Sequence, residues 1–188
     1  MKDFNDFTEL EEKQIDTKEI FDGEVLHVNL DYIELPNGKT ATRELIRHIG
    51  AVCVIPVTDD GKVIIERQFR YPIYQVITEI PAGKLDSKDE DRLLAAKREL
   101  REETGYTADK WTDLGVYYPA PAYSDEKITM YMAQGLHKGE QDLDDDEFLN
   151  VVEVPIQELL EAVMDGTITD GKTQICIMKA ADILKNTY

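Results

Sequence analysis

Residues 83–106 place the strongest constraint on how this chain can fold. Their sequence predicts a loop, an amphipathic helix and a closing turn. Ser87 and Glu90 have the S-x-x-E spacing of a capping box, which predicts the start of the helix. Gly105 stands where a left-handed residue typically ends a helix. Helical periodicity then predicts one buried stripe, formed by Leu93, Ala96 and Leu100.

Three glutamates project from one side of this predicted helix, because Glu99, Glu102 and Glu103 are spaced i, i+3 and i+4. Their like charges repel one another, and the helix dipole disfavours anions near the C-terminal end. One interpretation is a solvated acidic face that Arg98 partly neutralises. The other is a site for a hard cation such as Mg²⁺, which prefers oxygen ligands and keeps some of its water.

Composition restricts the class of protein. The 188 residues are enough for one ordinary domain with a small appendage. The net charge of −18 argues against a nucleic-acid partner, which requires a basic surface. No apolar run has the length of a membrane span, and the acidic N-terminus does not resemble a signal peptide. Cys53 and Cys176 lie in apolar segments, which indicates core thiols in a reducing, cytoplasmic compartment.

The remaining pattern predicts a mixed α and β protein. Residues 1–16 are polar and weakly patterned, so we expect a frayed or peripheral start. Residues 23–47 alternate and contain a P-N-G turn, which predicts a strand pair. Further strands are predicted at residues 51–58, 63–69, 111–118, 127–133 and 149–154. Further helices are predicted at residues 156–164, where Pro155 opens the helix, and at residues 173–184.

The segment from Glu90 through RELREETGY resembles the Nudix box, the sequence pattern of hydrolases that act on nucleoside diphosphates linked to another group. One departure is that six residues, instead of the usual five, separate Gly83 from Glu90. The resemblance implies an α/β (α+β) fold, the Nudix-type α/β/α sandwich with a mixed sheet. It also implies two domains, a small N-terminal antiparallel β-domain at residues 1–48 and a Nudix hydrolase domain at residues 49–188.

The runs ERQFRYPIYQVITEIPAG and YPAPAYSDEK are similar to the ADP-ribose pyrophosphatase subfamily, which has Q-x-R, E-x-P-A-G and a proline beyond the box. Pro121 lies fifteen residues after Tyr106, although Ala122 stands where the subfamily often has glycine. The resemblance implies Mg²⁺-dependent hydrolysis of ADP-ribose to AMP and ribose 5-phosphate, with Mn²⁺ as an alternative ion. Similar enzymes are homodimers that exchange their N-terminal strands.

The resemblance also implies roles for individual residues. The metal ligands would be the Ala82 carbonyl, Glu99 and Glu103, and Glu102 would hold a further metal ion or its water. Arg70 would contact the diphosphate and Glu79 would lie at the nucleoside end. The structural residues of the box would be Gly83, Glu90, Arg98 and Gly105.

A mobile acidic loop supplies the catalytic base in this subfamily, and residues 142–147 correspond to it here. Glu147 is our first choice for the base and Asp145 the second; the alternative is a solvated acidic loop. Two other functions stay open. One is hydrolysis of a different nucleoside diphosphate sugar or a dinucleotide. The other is an ADP-ribose sensor without catalysis, although a sensor would not need the three glutamates of the box.

Overall fold

A computed structural model describes residues 8–143 and 147–186. The chain divides into two compact units. The N-terminal unit comprises residues 1–48 with 120–126, and the large unit comprises residues 49–119 with 127–188. Among the described helices, none is long and apolar enough to span a membrane.

The N-terminal unit contains an antiparallel sheet in the order β1-β2-β3. Its strands are β1 (Lys13–Asp22), β2 (His27–Glu34) and β3 (Thr40–Arg47), after a short 3-10 helix at Thr8–Leu10. Strands β2 and β3 confirm the predicted strand pair. The start of the chain is ordered from Lys13 onward, where β1 begins, so the prediction of a frayed segment was wrong there, whereas the exposure of β1 fits a peripheral one. Every residue of β1 is exposed, so burial imposes no apolar alternation that could reveal the strand.

The large unit contains two sheets, three α-helices and a short 3-10 helix at Tyr71–Ile73 in its described residues. The antiparallel sheet has the order β10-β5-β6, and the mixed sheet has the order β7-β4-β9-β8, with β4 and β9 parallel. The strands are β4 (Ala51–Pro56), β5 (Lys62–Arg70), β6 (Gln75–Glu79), β7 (Ala82–Lys84), β8 (Tyr106–Tyr117), β9 (Ile128–Lys138) and β10 (Leu149–Pro155). The helices are α1 (Arg92–Thr104), α2 (Ile156–Met164) and α3 (Gly171–Lys185).

Strand β4 is buried on both faces, because its side chains alternate between two hydrophobic clusters. Val52 and Val54 pack in the cluster that includes Leu100 of α1. Cys53 and Ile55 pack in the cluster that also contains residues of α2 and α3. The mixed sheet therefore lies between α1 on one face and α2 with α3 on the other. This arrangement confirms the predicted α/β/α sandwich.

The ends of α1 test the predicted caps. The prediction that Ser87 caps the helix was wrong. Asp91 is the N-cap, and its carboxylate accepts hydrogen bonds from the N–H groups of Leu93 and Leu94. Glu90 instead accepts a hydrogen bond from the Asp86 N–H at 2.7 Å, so it orders the preceding loop. The C-terminal prediction is confirmed, since Gly105 has φ 75° and its N–H donates to the Arg101 carbonyl.

Candidate active site

The three glutamates of helix α1 lie in two different environments, one buried and one partly exposed. Glu99 and Glu103 are buried, whereas Glu102 is partly exposed. Glu103 accepts a hydrogen bond from the Ala82 N–H at 2.8 Å, which ties α1 to β7. Burial raises the pKa of Glu103 to about 10, and the neighbouring Glu66 and Glu99 carboxyls add to the shift. The spacing of the box therefore puts two acids, Glu99 and Glu103, in the interior and leaves Glu102 nearer the surface.

Glu99 lies against the backbone of Gly83. A β-carbon on Gly83 would stand 2.1 Å from the Glu99 carboxyl carbon, so glycine leaves the space that this carboxylate fills. Burial raises the pKa of Glu99 to about 7, although the charge of Arg98 opposes the rise. The extra residue before Glu90 leaves this contact between the β7 backbone and α1 in place.

Arg98 connects the carboxylates of the box. Its guanidinium donates to Glu99 Oε1 at 2.7 Å and to Glu102 Oε2 at 3.2 Å. It also donates to Glu90 Oε1 at 3.4 Å. Arg98 thereby orients these three carboxylates, and Arg101 supplies a second cation, whose Nη2 donates to Glu102 Oε1 at 3.1 Å.

A cleft of about 340 Å³ opens beside these residues. Glu99, Glu102 and Glu147 all line it, so the structure brings the predicted loop acid to two of the three glutamates of the helix, while Glu103 is not part of the lining. Asp142 also lines the cleft; its N–H donates to the Glu102 carbonyl, and its carboxylate pairs with Arg101. The alternative base, Asp145, lies outside the described residues.

Glu66 is a buried acid that the sequence analysis missed. It is 1% exposed, and its Oε2 has no hydrogen-bond partner. Burial raises its pKa to about 8, with a further contribution from the charge of Glu79, its cross-strand partner in β6. Glu66 also raises the pKa of Glu103. The sequence signal was a charged residue directly after the apolar run VII in β5.

These residues fit a divalent cation by their chemistry. In the described part of the chain, no three histidine, cysteine or carboxylate side chains form a ready-made metal cage. The donors are nevertheless oxygen atoms, the ligands that hard cations prefer. Glu66 and Glu103 are buried, both have raised pKa values, and the Glu66 oxygen has no partner. A divalent cation would compensate two such carboxylates.

Arg70 and Glu79, the two predicted substrate-binding residues, bind each other. Arg70 Nε donates to Glu79 Oε1 at 2.6 Å, and Arg70 Nη2 donates to Oε2 at 2.8 Å. Lys172 at the start of α3 donates to the same Oε2 and pairs with Asp170 at 3.1 Å. Burial would raise the pKa of Glu79, but the bonds from Arg70 and the charge of Lys172 hold it below its ordinary value. Sequence reasoning assigned no role to Lys172 or Asp170.

The α/β/α sandwich therefore carries a cleft whose carboxylate oxygens suit a divalent cation. The model of the NUDIX domain matches residues 47–173, and this chain belongs to the Nudix family. The family typically uses a divalent metal.

Relatives extend the comparison beyond the domain. The chain is 45% identical over 170 residues to an ADP-ribose pyrophosphatase of Bacillus subtilis (strain 168), covering 89% of this chain and 91% of the relative. It is 44% identical over 169 residues to a methanol dehydrogenase activator of Bacillus methanolicus, with coverage of 89% and 91%. A crystal structure of an ADP compounds hydrolase has a TM-score of 0.83 at 23% identity, covering 94% of this chain and 95% of that chain, which shows the shared fold.

Proposed function

We propose that this protein hydrolyses the diphosphate bond of ADP-ribose, giving AMP and ribose 5-phosphate, with Mg²⁺ as its metal and Mn²⁺ as an alternative. The observation that carries the proposal is the cleft where Glu99, Glu102 and Glu147 meet in a Nudix fold. The substrate is inferred from the relative of 45% identity, a pyrophosphatase named for ADP-ribose.

The chain's own residues have distinct tasks in this proposal. Glu99, Glu103 and the Ala82 carbonyl would hold the metal, and Glu102 would hold a further ion or its water. When bound, the metal supplies charge neutralisation for the diphosphate and acidifies the attacking water. Arg98 orients two of the carboxylates through its hydrogen bonds. Arg70, whose side chain is 41% exposed, would bind the diphosphate, with Glu79 toward the nucleoside end.

Glu147 would take the proton from the attacking water, since it lines the same cleft as Glu99 and Glu102. Glu147→Gln is expected to lower kcat by about a hundredfold or more, the usual contribution of a general base. Metal affinity should stay close to that of the wild type, because glutamine removes a proton acceptor that is not among the proposed ligands. The measurements are steady-state kinetics and titration with Mn²⁺. Unchanged turnover would move the base to another residue, with Asp145 the next candidate.

A substrate panel tests the proposed function. Purified protein with Mg²⁺ would receive ADP-ribose, GDP-mannose, UDP-glucose, NADH and a nucleoside triphosphate, with products separated by anion exchange. We expect the fastest cleavage with ADP-ribose and complete loss of cleavage with a chelator. Faster cleavage of another compound would contradict the assignment of ADP-ribose as the substrate, but it would still support metal-dependent hydrolysis. Binding of ADP-ribose without any cleavage would indicate a sensor.

The proposal includes the division into domains 1–48 and 49–188 and a homodimer that exchanges N-terminal strands. The separate compact units support the division, although residues 120–126 join the N-terminal unit. Exposed apolar side chains on the N-terminal unit support a dimer, since burying them would be favourable: Ile15, Ile20, Phe21, Val25 and Leu26. Light scattering after size exclusion should give twice the mass of one chain.

A reducing, cytoplasmic compartment also belongs to this proposal. Cys53 and Cys176 are buried free thiols whose sulfur atoms lie 3.9 Å apart. Thiols this close persist where the surroundings are reducing, which supports such a compartment.

A further inference from the structure

Glu79 is held by two cations that differ in their freedom to move. Its carboxylate is almost fully buried and receives both Arg70 and Lys172. The Arg70 side chain is 41% exposed, so its guanidinium can reach a ligand in solvent. Lys172 is only 8% exposed and has no such access. A buried carboxylate that lost both cations would be strongly destabilised, but one that lost Arg70 alone would still keep Lys172.

Lys172 is fixed in place by the start of α3. Its Nζ lies 3.1 Å from Asp170 Oδ2, and Asp170 is the N-cap of this helix. The Asp170 carboxylate also accepts hydrogen bonds from the Thr173 N–H at 3.0 Å and from the Thr173 hydroxyl at 2.6 Å. Because the N-terminus of the helix already stabilises Asp170, the charge of Lys172 is available to Glu79.

The end of β6 is tied to the same point. The Ile80 N–H donates to Thr173 Oγ1 at 3.0 Å, so the residue that follows Glu79 is bound to the first turn of α3. This bond ties the backbone beside Glu79 to the helix turn that carries Lys172, and it does not involve Arg70. The pair on the buried side is therefore a fixed element, and Arg70 is the exchangeable partner.

We propose that Lys172 is a positioning residue, which neutralises Glu79 so that Arg70 can leave this carboxylate and bind the diphosphate of the substrate. The inference rests on the proposed function and deepens it. In the structure Arg70 donates two hydrogen bonds to Glu79. An incoming diphosphate must therefore compete with the Glu79 carboxylate for the Arg70 guanidinium. Without Lys172, Arg70 would be the only cation bonded to Glu79 among the described residues, and the competition would favour Glu79.

The experiment compares Lys172→Gln with two controls. Glutamine removes the charge but keeps a hydrogen-bond donor for Glu79, which protects the fold. Lys172→Arg keeps the charge and is the conservative variant expected to restore function. Lys185→Gln makes the same charge change at the exposed far end of α3. Melting temperature and circular dichroism of each protein establish that it is folded.

Two readouts are needed for each folded variant. The first is KM and kcat for ADP-ribose. The second is the Kd of inorganic pyrophosphate, measured calorimetrically at fixed free Mg²⁺, which reports diphosphate binding without any cleavage. Lys172→Gln should raise both KM and the pyrophosphate Kd by about tenfold, the lower range for a charged hydrogen bond, and should change kcat by less than about threefold. Both controls should remain close to the wild type.

A double-mutant cycle separates this role from a purely structural one. In a Glu79→Gln background there is no carboxylate to hold Arg70, so Lys172→Gln should no longer change the pyrophosphate Kd. An equal effect of Lys172→Gln in both backgrounds would overturn the proposal, as would a loss confined to kcat. Failure of the wild type to cleave ADP-ribose would refute the proposed function, while the pyrophosphate cycle would still test Lys172.

Discussion

Replacing Glu103 with glutamine should abolish nearly all turnover while the metal-free protein keeps its melting temperature. Glu103 is a proposed metal ligand, and losing a ligand's charge should cost more than the roughly tenfold to hundredfold loss typical of residues that only support a ligand. The loss of kcat should therefore exceed about a hundredfold. The measurements are steady-state kinetics with ADP-ribose and melting curves with and without Mg²⁺.

The stability of this variant follows from the site itself. Without metal, burial and the neighbouring acids raise the pKa of Glu103 to about 10, so its carboxyl is protonated and neutral near pH 7. Glutamine has the same size and charge as that protonated acid. Its amide oxygen can accept the Ala82 N–H bond that Glu103 Oε2 accepts now. The substitution should therefore remove the stabilisation that Mg²⁺ provides and little else.

Glu161→Gln is the matched control, because it makes the same change at an exposed position on α2. It should leave both activity and the Mg²⁺-dependent rise in melting temperature intact. Near-normal turnover of Glu103→Gln would remove Glu103 from the metal site. A large drop in the melting temperature of the metal-free variant would instead assign Glu103 to the stability of the fold.

The sequence predicted the parts of the structure that burial dictates. Strand β4 and helix α2 were predicted because their apolar residues are used in the core. Strand β1 was missed because all of its residues are exposed. Its pairing with β2 therefore produces no alternation of apolar and polar residues in the sequence. The cap of α1 was misplaced because Ser87 and Asp91 both precede the apolar run, and local spacing does not say which oxygen meets the first N–H groups.

The sequence predicted the part of the candidate site that lies within one continuous segment, and it did not predict the contacts between distant segments. The spacing of Glu99, Glu102 and Glu103 placed them on one helix, but the Ala82 N–H that holds Glu103 comes from a different strand. The pairing of Arg70 with Glu79 depends on the antiparallel register of β5 and β6 and on an arginine that turns inward. Lys172 joins them from α3, 93 residues beyond Glu79, and one sequence carries no signal for such a contact.

Gly83→Ala is the second substitution with a large expected effect, because its added methyl group enters the space of the Glu99 carboxylate. The new Cβ would stand 2.1–2.2 Å from the carboxyl carbon and oxygens of Glu99, so this carboxylate must move. Gly83 lies in β7 opposite Val52, where alanine fits the strand backbone. Displacing a reacting or metal-binding group by about 1 Å can cost a hundredfold in rate, so we expect a loss of that order with little change in melting temperature.

The effect of Gly83→Ala should depend on Glu99. If the methyl group acts by moving that carboxylate, it should add little to the loss already caused by Glu99→Gln, and the double variant should resemble Glu99→Gln alone. Titration with Mn²⁺ gives a second measurement, in which Gly83→Ala should weaken metal binding in the wild-type background and not in the Glu99→Gln background. Additive losses in both measurements would mean that Gly83 serves the site through the path of its backbone and not through the room it leaves for Glu99.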